Sequence, residues 1–299
     1  MKWRKMLFVL VAVLLLVQQS VIAAPYGGRD ASTTMKATFY SESLEKNMNV
    51  NVYLPPGYNK SNRYPVLYVL HAYSSNEDHW FQALKITEKA DQLISSGRIE
   101  PMIIVAPKID NSWGMNTAKK AGVWDGKPDD PKAWHEGLYE SYITQDVIHY
   151  VDTHFSTLPS RKGRYIGGVS MGGFAALHVA FRNPQLFSKV GAHAPAPALF
   201  LDEMWKPLHD KIFPTDQARK ERDPIYLAQS QNLAKMEIFL DIGNQDDFQT
   251  PAKKLDEVLS QKKTKSYEFH LVEGGHHDDA YWSSQVEQYL LFYGGTDRK

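Results

Sequence analysis

The sequence predicts an α/β fold, a mostly parallel central sheet flanked by helices on both faces. Short apolar runs bounded by Pro, Gly or His recur along the chain and alternate with stretches of helical apolar spacing. Strands covered on both faces and joined by crossover helices read in this way. No repeat or low-complexity tract breaks the alternation, and 299 residues with 43% hydrophobic content can bury one large core, so a single domain is expected.

The elements follow in chain order. Lys2, Arg4 and Lys5 precede an apolar run over 7–17, and Val21-Ile22-Ala23-Ala24 supplies small residues where a signal peptidase cuts. Residues 1–24 are therefore expected to be a cleaved secretory signal, which implies a secreted or periplasmic location. A membrane anchor fits less well, because a spanning helix needs about 20 apolar residues and Gln18-Gln19-Ser20 stops this run short. Residues 25–35 read as an N-terminal segment, and the domain is expected over 36–293. Residues 47–54 alternate polar and apolar with period two, as a half-exposed strand does, and Pro55-Pro56-Gly57 ends them. Continuous apolar strands are expected at 66–70 and 102–106, with a helical stretch between them. A helix over 142–155, a strand over 164–169, a helix over 171–181 and a short strand over 189–192 come next. Strands over 237–242 and 267–272 flank a helix over 251–259, and a helix over 281–292 closes the chain. Two stretches depart from the alternation: 108–139, rich in Gly, Asp, Lys and Trp, and 194–235, which opens Ala-Pro-Ala-Pro. Both follow strands on the side where α/β proteins bind ligands, and are expected to be lid-like insertions that shape a substrate site.

Composition narrows the function. Lys plus Arg and Asp plus Glu each number 34, so no net field draws the molecule to nucleic acid or to an anionic membrane, and a small or neutral partner is expected. The chain has no cysteine, which excludes thiol catalysis, disulfides and cysteine metal sites.

One motif carries chemistry. Gly168-Val169-Ser170-Met171-Gly172 matches Gly-x-Ser-x-Gly, with an apolar strand running into it and the Ala-rich stretch Phe174-Ala175-Ala176-Leu177 leaving it. A strand-to-helix turn of this kind presents a serine hydroxyl at a helix N-terminus, where negative charge is favoured, and flanking glycines keep side chains out of its way. An ordinary helix-capping serine would need none of this context. A serine is a weak nucleophile without a base. Glu273-Gly274-Gly275-His276-His277-Asp278 follows the last strand and offers two adjacent histidines, between which spacing does not choose. Asn244-Gln245-Asp246-Asp247, after the preceding strand, offers two carboxylates to orient the imidazole, and Asp241 inside that strand is a further candidate.

Taken together, Val52-Tyr53-Leu54-Pro55-Pro56-Gly57-Tyr58, Tyr64 to His71, Ile143-Thr144-Gln145-Asp146 and the serine motif resemble the esterase D and feruloyl-esterase-like branch of the α/β-hydrolases, over roughly residues 36–293. That branch also includes siderophore esterases and mycolyltransferases. The resemblance implies an α/β-hydrolase fold and a serine esterase acting through an acyl-enzyme, secreted on the reading of residues 1–24 as a signal, with an acyltransferase on the same triad as the alternative. It needs no cofactor, and its substrate would be a small-molecule or carbohydrate-linked ester. Carried over by position, it selects Ser170, Asp246 and His277 as the triad, with Asp247 and His276 second, and the backbone N–H groups of Tyr73 and Met171 as the oxyanion hole. The chain departs from the family at His71-Ala72-Tyr73, where His-Gly is usual. Alanine there requires a negative φ, and the Tyr73 ring is expected at the mouth of the site, narrowing it or stacking on an aromatic acyl group.

Further candidates for the substrate site are Trp113, Trp124 and Trp134 in the first insertion, as a platform for a sugar or aromatic ring, and His193 after a strand. Loop packing for the tryptophans and a structural role for His193 are the plainer readings. Glu140, opening a helix, reads as a partner of the helix dipole. Metal-assisted hydrolysis, prompted by His276-His277-Asp278-Asp279 and the histidines at 71, 135 and 193, lacks ligand spacing, since adjacent residues rarely hold one ion. A non-catalytic binding protein on the same fold is disfavoured by the complete Ser, Asp, His order.

Overall fold

The computed structural model describes residues 31–127, 130–196 and 206–296. The expected signal at 1–24 and part of the second insertion, 197–205, lie outside the described residues. Ten strands are described: β1 (Thr33–Ser41), β2 (Lys46–Leu54), β3 (Val66–Leu70), β4 (Ile103–Pro107), β5 (Gly122–Asp125), β6 (Trp134–Glu136), β7 (Arg164–Val169), β8 (Lys189–His193), β9 (Glu237–Gly243) and β10 (Ser266–Val272). Eight of them make one sheet in the order β1-β2-β4-β3-β7-β8-β9-β10. From β4 to β10 every pairing is parallel, and β2 runs antiparallel to both β1 and β4.

Side-chain alternation along the buried strands builds two cores. In β3, Val66, Tyr68 and Leu70 join one apolar cluster, while Leu67 and Val69 join the other. β4 divides likewise, Ile103 and Val105 against Ile104 and Ala106. Both faces must then be covered, which is why these strands are apolar throughout. Helix α1 (Ile86–Ser95) contributes Ala90, Leu93 and Ile94 to the second cluster. A helical segment over 139–154, α2, and helix α3 (Met171–Arg182) contribute to the first. Buried along nearly its whole length, α3 carries small residues, Gly172, Gly173, Ala175, Ala176 and Ala180, between the large apolar ones that fill the core.

β1 begins at Thr33, just before the expected start of the domain, and pairs with β2 along its length. Its mostly exposed sequence TTMKATFYS lacks a continuous apolar run, but Met35, Ala37 and Phe39 alternate with polar neighbours, a short period-two signal that sequence reasoning missed. Within the first insertion, β5 and β6 form a small antiparallel hairpin. The second insertion carries the short helices α4 (Lys206–Ile212), α5 (Asp216–Arg222) and α6 (Pro224–Ser230). Helices α7 (Gln249–Ser260) and α8 (Asp279–Gly294) complete the chain, and among the described residues no helix is long and apolar enough to cross a membrane.

Candidate active site

The site forms at the C-terminal ends of the parallel strands, where three loops converge. Between β7 and α3, Ser170 sits at φ 55°, ψ −121°, a conformation that costs a non-glycine residue energy and persists only where its surroundings hold it. Its N–H donates to the His193 carbonyl, and its own carbonyl accepts the N–H groups of Phe174 and Ala196, all at 3.0 Å. The flanking glycines are required by close approach. A Cβ on Gly168 would lie 2.3 Å from the carbonyl of Gly172, and one on Gly172 would lie 2.1 Å from the Leu70 oxygen. Strand β7 can enter the turn and α3 can leave it only while both positions are bare.

The second loop follows β10. A Cβ on Gly243 would fall 2.0 Å from the Gly275 carbonyl oxygen, so the end of β9 and the loop after β10 meet backbone to backbone. This contact brings the two loops together. Asp246 Oδ2 lies 2.7 Å from His277 Nδ1, and His277 Nε2 lies 2.8 Å from Ser170 Oγ. The other Asp246 oxygen accepts the Phe248 N–H at 2.8 Å, and the carboxylate is buried. With Nδ1–H donating to Asp246, Nε2 is free to accept from the serine hydroxyl. Phe248 and Trp282 pack edge-on against the His277 ring, at 4.6 and 5.0 Å between centroids. His276 and Asp247, the adjacent alternatives, are both exposed.

The third loop follows β3. His71 is buried, donates from Nδ1 to the Ala72 carbonyl at 2.8 Å and accepts the Ile109 N–H on Nε2 at 3.0 Å. Burial pushes its imidazole down to about 4, so the ring stays neutral and keeps both bonds at physiological pH. The left-handed turn of this loop falls on Ser74 (φ 60°) and not on Ala72, which is how alanine is accommodated where glycine is usual. Asn111 fixes the turn: its Oδ1 accepts the Ser74 N–H at 2.8 Å, while its Nδ2 donates to the carbonyls of Pro131 and Ala133. Tyr73 donates its hydroxyl to the Lys132 carbonyl at 2.6 Å and accepts from the Trp134 indole, and burial pushes that hydroxyl up to about 12. Met171 is the first residue of α3, where a backbone N–H has no intrahelical acceptor. Tyr73 and Met171 line the same cleft, of about 530 Å³, together with Ser170, His277, Trp113, Phe248 and Trp282.

Comparison with known proteins agrees with this architecture. The sequence profile of the family described as "Putative esterase" matches residues 41–293. The chain belongs to that family. A curated endo-1,4-beta-xylanase/feruloyl esterase of Xylanibacter ruminicola is 33% identical over 161 residues, 52% of this chain and 20% of that protein. The esterase-family chain thus spans about a fifth of the length of that relative. Among solved structures, an S-formylglutathione hydrolase from Agrobacterium tumefaciens superposes with a TM-score of 0.71 at 18% identity, covering 89% of this chain and 96% of that one. A CE1 ferulic acid esterase from Anaeromyces mucronatus gives 0.65 at 24% identity, covering 89% and 91%. These likenesses establish the α/β-hydrolase fold.

The remaining expected residues of this esterase-family chain fall in different places. Trp113 lines the cleft, although it is almost wholly buried and packs edge-on against Phe174 at 5.4 Å. Trp124 and Trp134 stack on each other at 5.1 Å in the β5–β6 hairpin, outside the cleft lining, and Trp134 hydrogen-bonds Tyr73, which does line it. His193 is 0% exposed, so it does not line the cleft. It bonds Asp241 Oδ1 through Nδ1 at 2.7 Å, and the hydroxyls of Tyr281 and Tyr289 donate to the other Asp241 oxygen. Asp241, the third acidic candidate, is therefore engaged beneath the site. Glu140 faces inward to His178, Arg182 and Asn183; burial opposes its charge, but hydrogen bonding to His178 and these neighbours outweighs that and holds the carboxyl at about 2. Its burial in α2 makes it a tertiary anchor rather than a solvated partner of the helix dipole. No group of three or more His, Asp or Glu among the described residues is arranged to hold a metal ion. Sequence reasoning missed His79, Phe248, Asp279 and Trp282. Only Asp279 and Trp282 had a legible signal, in the His-His-Asp-Asp run and the first turn of the closing helix.

Proposed function

We propose that this protein is an extracytoplasmic serine esterase that cleaves a carboxylic ester through an acyl-enzyme, with Ser170 as nucleophile, His277 as general base and Asp246 as the acid that orients it. The observation that carries this reading is the unbroken hydrogen-bonded chain from Asp246 through His277 to Ser170 Oγ. Ser170 attacks the ester carbonyl as His277 Nε2 takes its proton; Asp246 holds the ring in the required tautomer and stabilises the imidazolium. The N–H groups of Tyr73 and Met171 meet the oxyanion, and loss of one such donor costs about 3 to 4 kcal/mol in other serine hydrolases. The alcohol leaves with the proton from His277, and water repeats the sequence on the acyl-enzyme. The extracytoplasmic part rests on the charge and apolar pattern of residues 1–24.

The favoured substrate is an ester of an aromatic acid. Tyr73, Trp113, Phe248 and Trp282 wall the cleft, and such rings pack well against another ring. The relatives named for ferulate point the same way. The test is hydrolysis of p-nitrophenyl and methyl feruloyl esters by the protein and by Ser170→Ala, alongside labelling with a fluorophosphonate. The substitution is expected to lower kcat by about 10⁵- to 10⁶-fold and abolish labelling. Equal activity in the two proteins would refute the mechanism.

A further inference from the structure

The cleft holds a second histidine–aspartate pair that the proposed reaction does not use. His79 Nε2 lies 2.8 Å from Asp279 Oδ1, and both residues line the cleft. His79 Nδ1 accepts the Ala72 N–H at 3.4 Å, a long contact. An amide N–H can only donate, so Nδ1 accepts, and the neutral ring carries its proton on Nε2 toward Asp279. His79 is thereby tied to the loop that bears Tyr73 and to the helix that follows His277.

Both ends of this tie are firmly seated. The next residue, Trp80, is buried and its indole donates to the Leu70 carbonyl at 2.9 Å, which anchors the turn carrying His79 to the end of β3. Asp279 is the first residue of α8, two positions after His277, and the preceding Asp278 caps that helix by accepting the Tyr281 N–H at 2.8 Å. Trp282 stands between the two histidines, edge-on to His79 at 6.0 Å and to His277 at 5.0 Å.

We propose that His79 and Asp279 are positioning residues that latch the loop carrying the Tyr73 N–H to the loop carrying His277. This rests on the reaction proposed above. The oxyanion donors hold the carbonyl oxygen while the base takes the serine proton, and both must fit one tetrahedral transition state, so a displacement of one loop relative to the other by a fraction of an ångström lowers the rate without weakening ground-state binding. Asp279 is more than half exposed, so the pair adds little to folding stability. A latch therefore predicts a loss in kcat with little change in thermal stability.

The experiment compares Asp279→Ala and Asp279→Asn in the full chain, with p-nitrophenyl acetate as substrate and amide hydrogen exchange of residues 72–75 as a second readout. The alanine variant is expected to lose about tenfold in kcat with KM within about twofold, and to exchange those amides about tenfold faster. The asparagine variant, whose Oδ1 still accepts from Nε2–H, is expected to keep at least about half the wild-type kcat and wild-type exchange. Wild-type kcat in Asp279→Ala, or equal losses in both variants, overturns the latch. If hydrolysis does not depend on Ser170, the proposed reaction fails by itself, and the exchange data alone then decide whether the latch exists.

Discussion

At the scale of single residues, chemical identity and environment separate cleanly at Asp246 and Asp247. The two carboxylates are adjacent, yet only Asp246 is buried and bonded to both His277 and the Phe248 N–H, while Asp247 is exposed. Asp246→Asn should therefore lower kcat by about 10³- to 10⁴-fold, because the amide no longer favours the required imidazole tautomer. Asp247→Asn should change it by about twofold or less. Steady-state kinetics on one ester decides between them, and the opposite ranking would move the acid's role to Asp247. The same contrast holds at His276 and His277. Local sequence offers each pair as equals, since neither burial nor the direction of a loop side chain is written in spacing.

Among elements, the junction of β7 with α3 was the most legible part of the chain. An apolar strand, a Gly-x-Ser-x-Gly turn and an Ala-rich helix are all local, and the strained Ser170 backbone lies where they meet. The reason both glycines are needed is not local, because the atom that a Gly172 side chain would strike belongs to Leu70 at the end of β3. That neighbour is rigid backbone, so Gly172→Ala should destabilise the fold by about 2 to 4 kcal/mol and impair activity by moving α3 away from β3. Urea denaturation measures this, and an unchanged midpoint would mean that α3 shifts freely. Elements without a continuous apolar run were less legible: β1 offers only the short alternation of Met35, Ala37 and Phe39, and the partly exposed β5–β6 hairpin owes its strand form to the pairing of its two strands. The hairpin is also fixed from outside, since Lys211 of α4 pairs with Glu136 at 2.5 Å and lies over the Trp124 ring. Such contacts join the two insertions and explain why the tryptophans there are packed rather than open.

Across the whole molecule, acid stability should be governed first by His71. Its ordinary value of 6.5 falls to about 4 on burial, so between those values the unfolded chain binds a proton that the folded protein excludes. Stability therefore drops as pH falls through that window, by about 2 kcal/mol from pH 7 to pH 5 from this residue alone. Glu140 acts lower, because a carboxyl held at about 2 loses its contribution only as pH falls below its ordinary value of 4.5. Chemical denaturation at pH 7 and pH 5 checks the order: His71→Gln should flatten the difference, and an equally steep loss in that variant would assign it elsewhere.

The class of fold, the order of the buried strands and helices, the elbow at Ser170 and the absence of thiol chemistry were all legible in the amino-acid sequence. Each depends on neighbours in the chain, through side-chain periodicity, turn chemistry or composition. Spacing left Asp246 equal to Asp247 and His277 equal to His276, the family resemblance favoured the first of each, and the folded chain joins Asp246 to His277 and His277 to Ser170; the burial of His193 with Asp241 and the meeting of His79 with Asp279 across the cleft were not legible at all. These pairings join residues far apart in the chain, and they arise where the parallel sheet brings the ends of β3, β7, β8, β9 and β10 side by side.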